Sequence, residues 1–197
     1  MQKIVLATNN RHKIEEIRAI LRGLPYQILT ASDFPSFPDP DEDGATLEDN
    51  ARIKAVAVLR ATGDWALADD SGLEVDALNG APGIISARFA GPGCTFADNN
   101  RKLLELMKDV PDDKRGARFR CVVALARRGG DDDVILFSGE IRGVITREER
   151  GSGGFGYDPV FYVSELGFTL AEATADAKNR LSHRGRAFLR AKEYLKA

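Results

Sequence analysis

The sequence predicts an α/β protein: a mixed β-sheet covered by helices. Three observations carry this. The opening run KIVLA is rich in β-branched residues and is followed by polar TNNRHK and then by apolar residues at helical spacing, a strand-loop-helix unit. Two long apolar strand patterns flank RRGGDDD, the clearest hairpin signal in the chain. Helix and strand signals elsewhere are mixed rather than regularly alternating, which favours a mixed sheet with helices on it.

Taken in order, Ile14, Ile17, Ile20 and Leu21 fall on one side of the first helix, and a second strand is expected over 26–29. Residues 33–44 are too rich in Pro and Asp to be regular structure. Thr46 caps the next helix, with Asp49 three residues on imitating a capping box, and Leu47, Ala51, Ala55, Val58 and Leu59 carry it to about residue 61. A buried strand over 65–68 ends in ADDSG, a separate short strand follows over 73–75, and NGAPG marks turns. Thr95 and Asp98 start a third helix bearing Leu103, Leu104 and Met107. The hairpin strands span 117–126 and 134–141. After the glycine-dense GSGGFGYDP come a short strand VFYV, a short helix over 174–181, the tetrapeptide SHRG, and a closing helix with Ala187, Phe188, Ala191 and Leu195. With no internal repeat and no low-complexity linker, residues 1–197 read as one domain.

Composition narrows the function class. A chain of 197 residues buries a core without staples, and Cys94 and Cys121 have neither metal-ligand nor redox spacing, so they are expected as thiols of a reducing compartment. The amino end lacks the apolar core of a signal peptide and no segment reaches the roughly 18 apolar residues of a membrane span. A cytoplasmic protein without a membrane partner is expected. A net charge of -2 argues against a nucleic-acid partner held by a broad basic face. It leaves room for a nucleotide, because charge is unevenly spread: 39–49 holds six carboxylates and no basic residue, whereas 178–196 holds seven basic residues and one acidic one.

Several motifs carry chemistry. Thr8, Asn9, Asn10 and Lys13 lie at a strand-to-helix junction, where unpaired amides and the helix dipole seat an anion. The loop is neither a P-loop nor GxGxxG. In ADDSG, adjacent Asp69 and Asp70 point in opposite directions along an extended chain. Asp70 together with Glu42 of the acidic loop would form a hard oxygen site of the kind Mg2+ prefers, with a carboxylate to accept a proton from attacking water. Ser71 can donate to phosphate, and lacks the GxSxG context of a nucleophile. The glycine loop allows close approach of a ligand, with Phe155 or Tyr157 as a flat surface for a base. Asp158, Lys178, His183 and Arg184 are candidates for reading a base, and donors facing 6-keto acceptors would reject the amino group of adenine. Lys54 is placed to reach phosphates and stabilise a leaving pyrophosphate, and Arg88 to support the same anionic region.

Together these segments resemble the inosine triphosphate pyrophosphatase family of non-canonical purine nucleotide house-cleaning enzymes, in particular its bacterial dITP/XTP branch. The matching stretches are LATNNRHKIEEI at 6–17, EDGATLEDNARIKA at 42–55, ADDSGLEVDALNGAPGIISARF at 68–89, GGFGYDPVF at 153–161 and SHRGRA at 182–187. The resemblance implies an elongated central mixed sheet with two lobes around a nucleotide cleft, a homodimer, and hydrolysis of ITP, dITP and XTP to monophosphate and pyrophosphate with Mg2+. It puts Thr8, Asn9, Asn10, Arg11, His12, Lys13, Lys54 and Ser71 on the substrate, Glu42 and Asp70 on the metal, and Asp70 as proton acceptor. Asp69 and Arg88 would support them. Phe155 would lie against the base, Gly156, Tyr157 and Asp158 would continue that wall, and Lys178, His183 and Arg184 would close around it. Asn9 departs from the family pattern, which often has glycine there. Three alternatives stay open: a pyrophosphatase for modified pyrimidine nucleotides, a non-catalytic nucleotide or RNA-binding module, and an NTPase releasing the terminal phosphate.

Overall fold

The computed structural model describes residues 1–129 and 133–196. Seven strands and five α-helices follow one another as β1 (Gln2–Leu6), α1 (Arg11–Leu21), β2 (Tyr26–Leu29), α2 (Leu47–Thr62), β3 (Trp65–Val75), α3 (Phe96–Leu106), β4 (Gly116–Ala126), β5 (Val134–Ile145), β6 (Phe161–Val163), β7 (Phe168–Thr169), α4 (Ala175–Leu181) and α5 (His183–Lys196) among the described residues. Strand order is β2-β1-β3-β4-β5-β6-β7. β1 runs parallel to β2 and β3, whereas β5, β6 and β7 pair antiparallel. The sheet is therefore mixed, as the hairpin and the strand-loop-helix unit predict.

The chain divides into two compact units: Met1–Asp70, Cys121–Gly139 and Arg184–Ala197 in the first, Ser71–Arg120 and Glu140–His183 in the second. In the first, strict alternation along β1 sends Ile4 and Leu6 into one apolar cluster and Val5 and Ala7 into another. Ile17 and Leu21 of α1 and Phe188 and Ala191 of α5 fill the former; Leu47, Ala51, Ala55 and Val58 of α2 fill the latter. A strand covered on both faces reads as a continuous apolar run, which is why KIVLA shows no polar alternation. The second unit has its own core, in which Leu73 and Val75 of β3 and Leu103 of α3 gather with Met107, Ile145, Phe161 and Val160.

Thr46 and Thr95 cap their helices as the sequence anticipates, and Asn10 and Thr174 are found to do the same. Asn10, Thr46, Thr95 and Thr174 each accept a backbone N–H from the first turn of their helix. Gly63 ends α2 in the left-handed region with φ 70°. Five differences from expectation stand out. β5 runs on to Ile145, β7 carries no sequence signal, Val160 belongs to a 3-10 turn over Asp158–Val160 rather than to β6, and α5 begins at His183 so that SHRG is a helix junction. RRGGDDD falls partly on 130–132, outside the described residues; Arg127 pairs with Asp133 beside them, Nε to Oδ1 at 3.1 Å.

The fifth difference matters most. ADDSG is not a strand end, because β3 continues through it from Trp65 to Val75. Two adjacent aspartates would ordinarily stop a buried strand. Here Asp69, whose side chain is fully buried, receives Lys13 Nζ at 3.0 Å and Arg184 Nε at 3.3 Å, and Asp70 receives Lys54 Nζ at 3.0 Å. Removing one member of such a buried network leaves uncompensated charge. Asp69→Ala is expected to lose about 3–5 kcal/mol of stability in urea unfolding; a loss below ~1 kcal/mol would put the network in the class of surface ion pairs.

Candidate active site

In the first unit, the β1–α1 loop presents anion donors. Thr8 Oγ1 accepts from the Asn10 amide at 3.2 Å, and Asn10 Oδ1 accepts from the Lys13 amide at 3.3 Å, so both side chains set the loop. The acceptor end of Asn10 is spent on the cap, so what its side chain and the Thr8 hydroxyl add to an anion site is donors, the NH2 and the O–H. The amides of Arg11 and His12 belong to the same first turn. Asn9, Arg11 and His12 are exposed, and Lys13 is held against Asp69. Asp69 is wholly buried, and although burial alone would raise its pKa, Lys13 and Arg184 together hold it well below the usual carboxylate range.

Alternation along β3 sends Asp70 to the other face from Asp69. Lys54, on α2, reaches it at 3.0 Å and reaches Glu42 Oε1 at 3.2 Å, so one ammonium gathers carboxylates from a strand and from the acidic loop. Burial pushes the Asp70 carboxyl up; Lys54 pulls it back, but burial, helped by the neighbouring Glu42, prevails. Lys54 stays protonated: burial works against its charge, but Asp70, Asp69 and Glu42 outweigh it. Asn50 joins the two carboxylate carriers, donating to Asp70 Oδ2 at 3.4 Å and accepting the Gly44 amide at 2.9 Å. A Cβ on Gly44 would lie 2.6 Å from Asn50 Oδ1, so glycine is required for that approach. Among the described residues no group of three or more His, Cys, Asp or Glu forms a metal cage. Two converging carboxylates match a cation that takes its other ligands from phosphates and water.

In the second unit, the glycine loop folds around Asp158. Its Oδ2 accepts the Phe155 amide at 2.8 Å and Lys178 Nζ at 2.6 Å, and all of Asp158 and Lys178 but a few per cent is buried. Lys178 Nζ also lies 4.7 Å from the centroid of the Phe155 ring, a cation-π contact. His183 stacks on Phe119, ring centroids 4.5 Å apart at 9°. Phe155 is half-buried and Gly156 is in the left-handed region, φ 64°.

Four placements correct or refine the reading from sequence. Tyr157 is no platform for a base: its ring belongs to the core, its hydroxyl donates to Ser86 O at 2.9 Å, and burial pushes its pKa upward. Asp158 and Lys178 meet each other, which makes them braces of the Phe155 loop. Arg184 falls in the first unit, where Nη1 meets Glu16 Oε2 at 2.9 Å and Nε meets Asp69, so it shares the carboxylate that holds Lys13. Arg88 is exposed at the end of a 3-10 turn, Gly83–Arg88, in the second unit, whereas Lys54 is in the first. Ser71 follows Asp70 on β3 and is half-buried. Glu16, Asn50 and Ser86 are not among the candidates from sequence. For Asn50 a signal is present: a polar residue between Leu47 and Ala51 on the apolar face of α2.

The profile of the Ham1 family matches residues 4–194. A dITP/XTP pyrophosphatase of Geobacter sulfurreducens is 52% identical over 195 residues, 99% of this chain and 97% of that protein. One of Shigella flexneri is 48% identical over 187 residues, 95% of this chain and 94% of the relative. The solved HAM1 protein of Coxiella burnetii superposes with a TM-score of 0.91 at 42% identity, covering 100% of this chain and 99% of its own. The Ham1 protein of Staphylococcus aureus gives 0.87 at 38% identity, over 99% and 98% of the two chains. A family match over residues 4–194, with relatives and solved structures that match almost end to end, shows that the chain belongs to the Ham1 family.

Proposed function

We propose that this protein hydrolyses ITP, dITP and XTP at the α-β phosphoanhydride bond, releasing nucleoside monophosphate and pyrophosphate and so clearing non-canonical purines from the nucleotide pool. The observation that carries this is the convergence of Asp70 and Glu42 on Lys54, in the same unit as the donor-lined β1–α1 loop. Relatives named dITP/XTP pyrophosphatase, about half identical over nearly the whole chain, support the substrate class. One catalytic domain over 1–197 belongs to this reading, supported by a family match over 4–194.

On this reading Thr8, Asn10, Lys13 and the first amides of α1 hold the phosphates. Asp70, whose carboxyl is the more basic of the ADDSG pair, takes the proton of the attacking water as the new P–O bond forms and the bridging bond to pyrophosphate breaks. Lys54 stays cationic and faces the charge that develops on the leaving group. Glu42 and Asp70 would hold Mg2+, which supplies charge neutralisation and Lewis acidity at the phosphates. In the second unit, Phe155 offers its face to the base, and His183, the candidate donor left in that unit, favours a 6-keto purine over adenine. The same reading includes a cytoplasmic location, with no helix among the described residues long and apolar enough to cross a membrane. It also includes a homodimer, for which the exposed side chains of Ile84, Ile85 and Phe96 supply apolar surface.

Product analysis with Mg2+ tests the reaction: ITP, dITP and XTP should yield pyrophosphate and monophosphate far faster than ATP, GTP or UTP, and orthophosphate as the direct product would refute it. Asp70→Asn should bind ITP while kcat falls by about 10²–10⁴; unimpaired turnover removes Asp70 from proton transfer. Phe155→Ala should raise the KM for ITP about 5- to 100-fold with kcat nearly unchanged, the size of one lost stacking contact. An unaltered KM would mean that the base lies elsewhere.

A further inference from the structure

We propose that Asn100, on α3, is a positioning residue for base recognition: it fixes the Gly156 peptide and with it the wall that carries Phe155. The proposal rests on Phe155 facing the base.

The loop needs such a latch. Gly151, Gly153, Gly154 and Gly156 lie within six residues, and three of them have positive φ: 83°, 70° and 64° for Gly151, Gly154 and Gly156. Glycines adopt these angles readily, and many others equally well, so the loop keeps one conformation only where partners hold it. The backbone bond from Gly153 N–H to Ala171 O at 3.0 Å is one such hold, and side chains supply others. Asp158 holds the Phe155 amide, Lys178 holds Asp158, and Ser86 holds the Tyr157 hydroxyl. The Gly156 carbonyl is taken by Asn100 Nδ2 at 3.2 Å. Because a peptide unit is planar, fixing that carbonyl also fixes the direction of the Tyr157 N–H. Phe96, one helical turn before Asn100, meets the Phe155 ring at 5.9 Å, so one face of α3 touches the loop on successive turns.

Core packing does not account for this amide. Asn100 is 3% exposed, and its Oδ1 is buried with no hydrogen-bond partner among the described residues. An unpaired buried acceptor lowers stability, and an apolar side chain of similar size avoids that cost. The orientation is set by chemistry as well: only the NH2 end can face a carbonyl. What the amide contributes is the choice of one loop conformation.

The test compares wild type, Asn100→Leu and the isosteric Asn100→Asp by melting temperature, by kcat and KM for ITP and ATP, and by hydrogen exchange over 154–158. Asn100→Leu should melt no lower than wild type, exchange faster in the loop, and show a KM for ITP raised about five- to tenfold with kcat nearly unchanged, as expected for one neutral hydrogen bond. Its ITP-over-ATP preference should fall by a similar factor. Wild-type KM and preference in a folded Asn100→Leu would overturn the proposal. Should that variant fail to fold, Asn100→Asp, which sets a carboxylate oxygen against the Gly156 carbonyl, decides on the same measurements. If Phe155→Ala leaves the KM unchanged, the base-wall reading has failed by itself. Loop exchange then decides the latch: faster exchange in the Asn100 variants supports it and unchanged exchange refutes it.

Discussion

Burying a carboxylate inside a strand is costly unless cations come to it, and the first unit is organised around meeting that demand at Asp69. Lys13 comes from α1 and Arg184 from α5, and Glu16, a turn after Lys13, closes the network on the far side of Arg184. Two helices are thereby tied to β3 at one point. The same pairing fixes the direction of Lys13, a residue whose long stem would otherwise sample many rotamers. It also decides the fate of the next residue. With Asp69 committed to one face of β3, alternation commits Asp70 to the other.

The two aspartates then diverge chemically although they are neighbours in sequence. Asp69 is surrounded by cations and its pKa is driven down; Asp70 is buried beside a second carboxylate and its pKa is driven up. Environments that push a pair of carboxyls apart separate an anchoring role from a proton-accepting one. Lys54 completes the arrangement by keeping Glu42 and Asp70 close despite their repulsion.

What is legible in the sequence follows from how local its cause is. The donor loop can be placed because a strand pattern, a polar stretch and a helical period succeed one another within a few residues, and the acidic loop because Thr46 announces the helix behind it. ADDSG reads wrongly as a strand end because its compensation is not local: Arg184 lies 115 residues from Asp69. The aromatic pair of the glycine loop is ambiguous for a similar reason. Phe155 and Tyr157 differ in role because the carbonyl of Ser86, 71 residues from Tyr157, accepts its hydroxyl, and no pattern near Tyr157 encodes that partner. Asn50 and Asn100 are visible as polar residues within apolar stripes. Their partners, the Asp70 carboxylate and the Gly44 amide for Asn50 and the Gly156 carbonyl for Asn100, are not.

The proposed selectivity places its own constraint on the second unit. An aromatic face stacks on any base, so Phe155 can contribute affinity but little choice. Choice has to come from donors that cannot turn to suit an amino group, because a mobile donor would rotate away and the wrong base would lose nothing. A loop with four glycines in six positions is poorly suited to that task unless it is immobilised. This is the physical sense of the buried Asp158–Lys178 pair and of the contacts from α3: charge and amide groups buried where they add little to stability hold a flexible segment in one conformation. On the proposed reading, rigidity there would serve recognition in the same way that the charge network at Asp69 would serve phosphate binding.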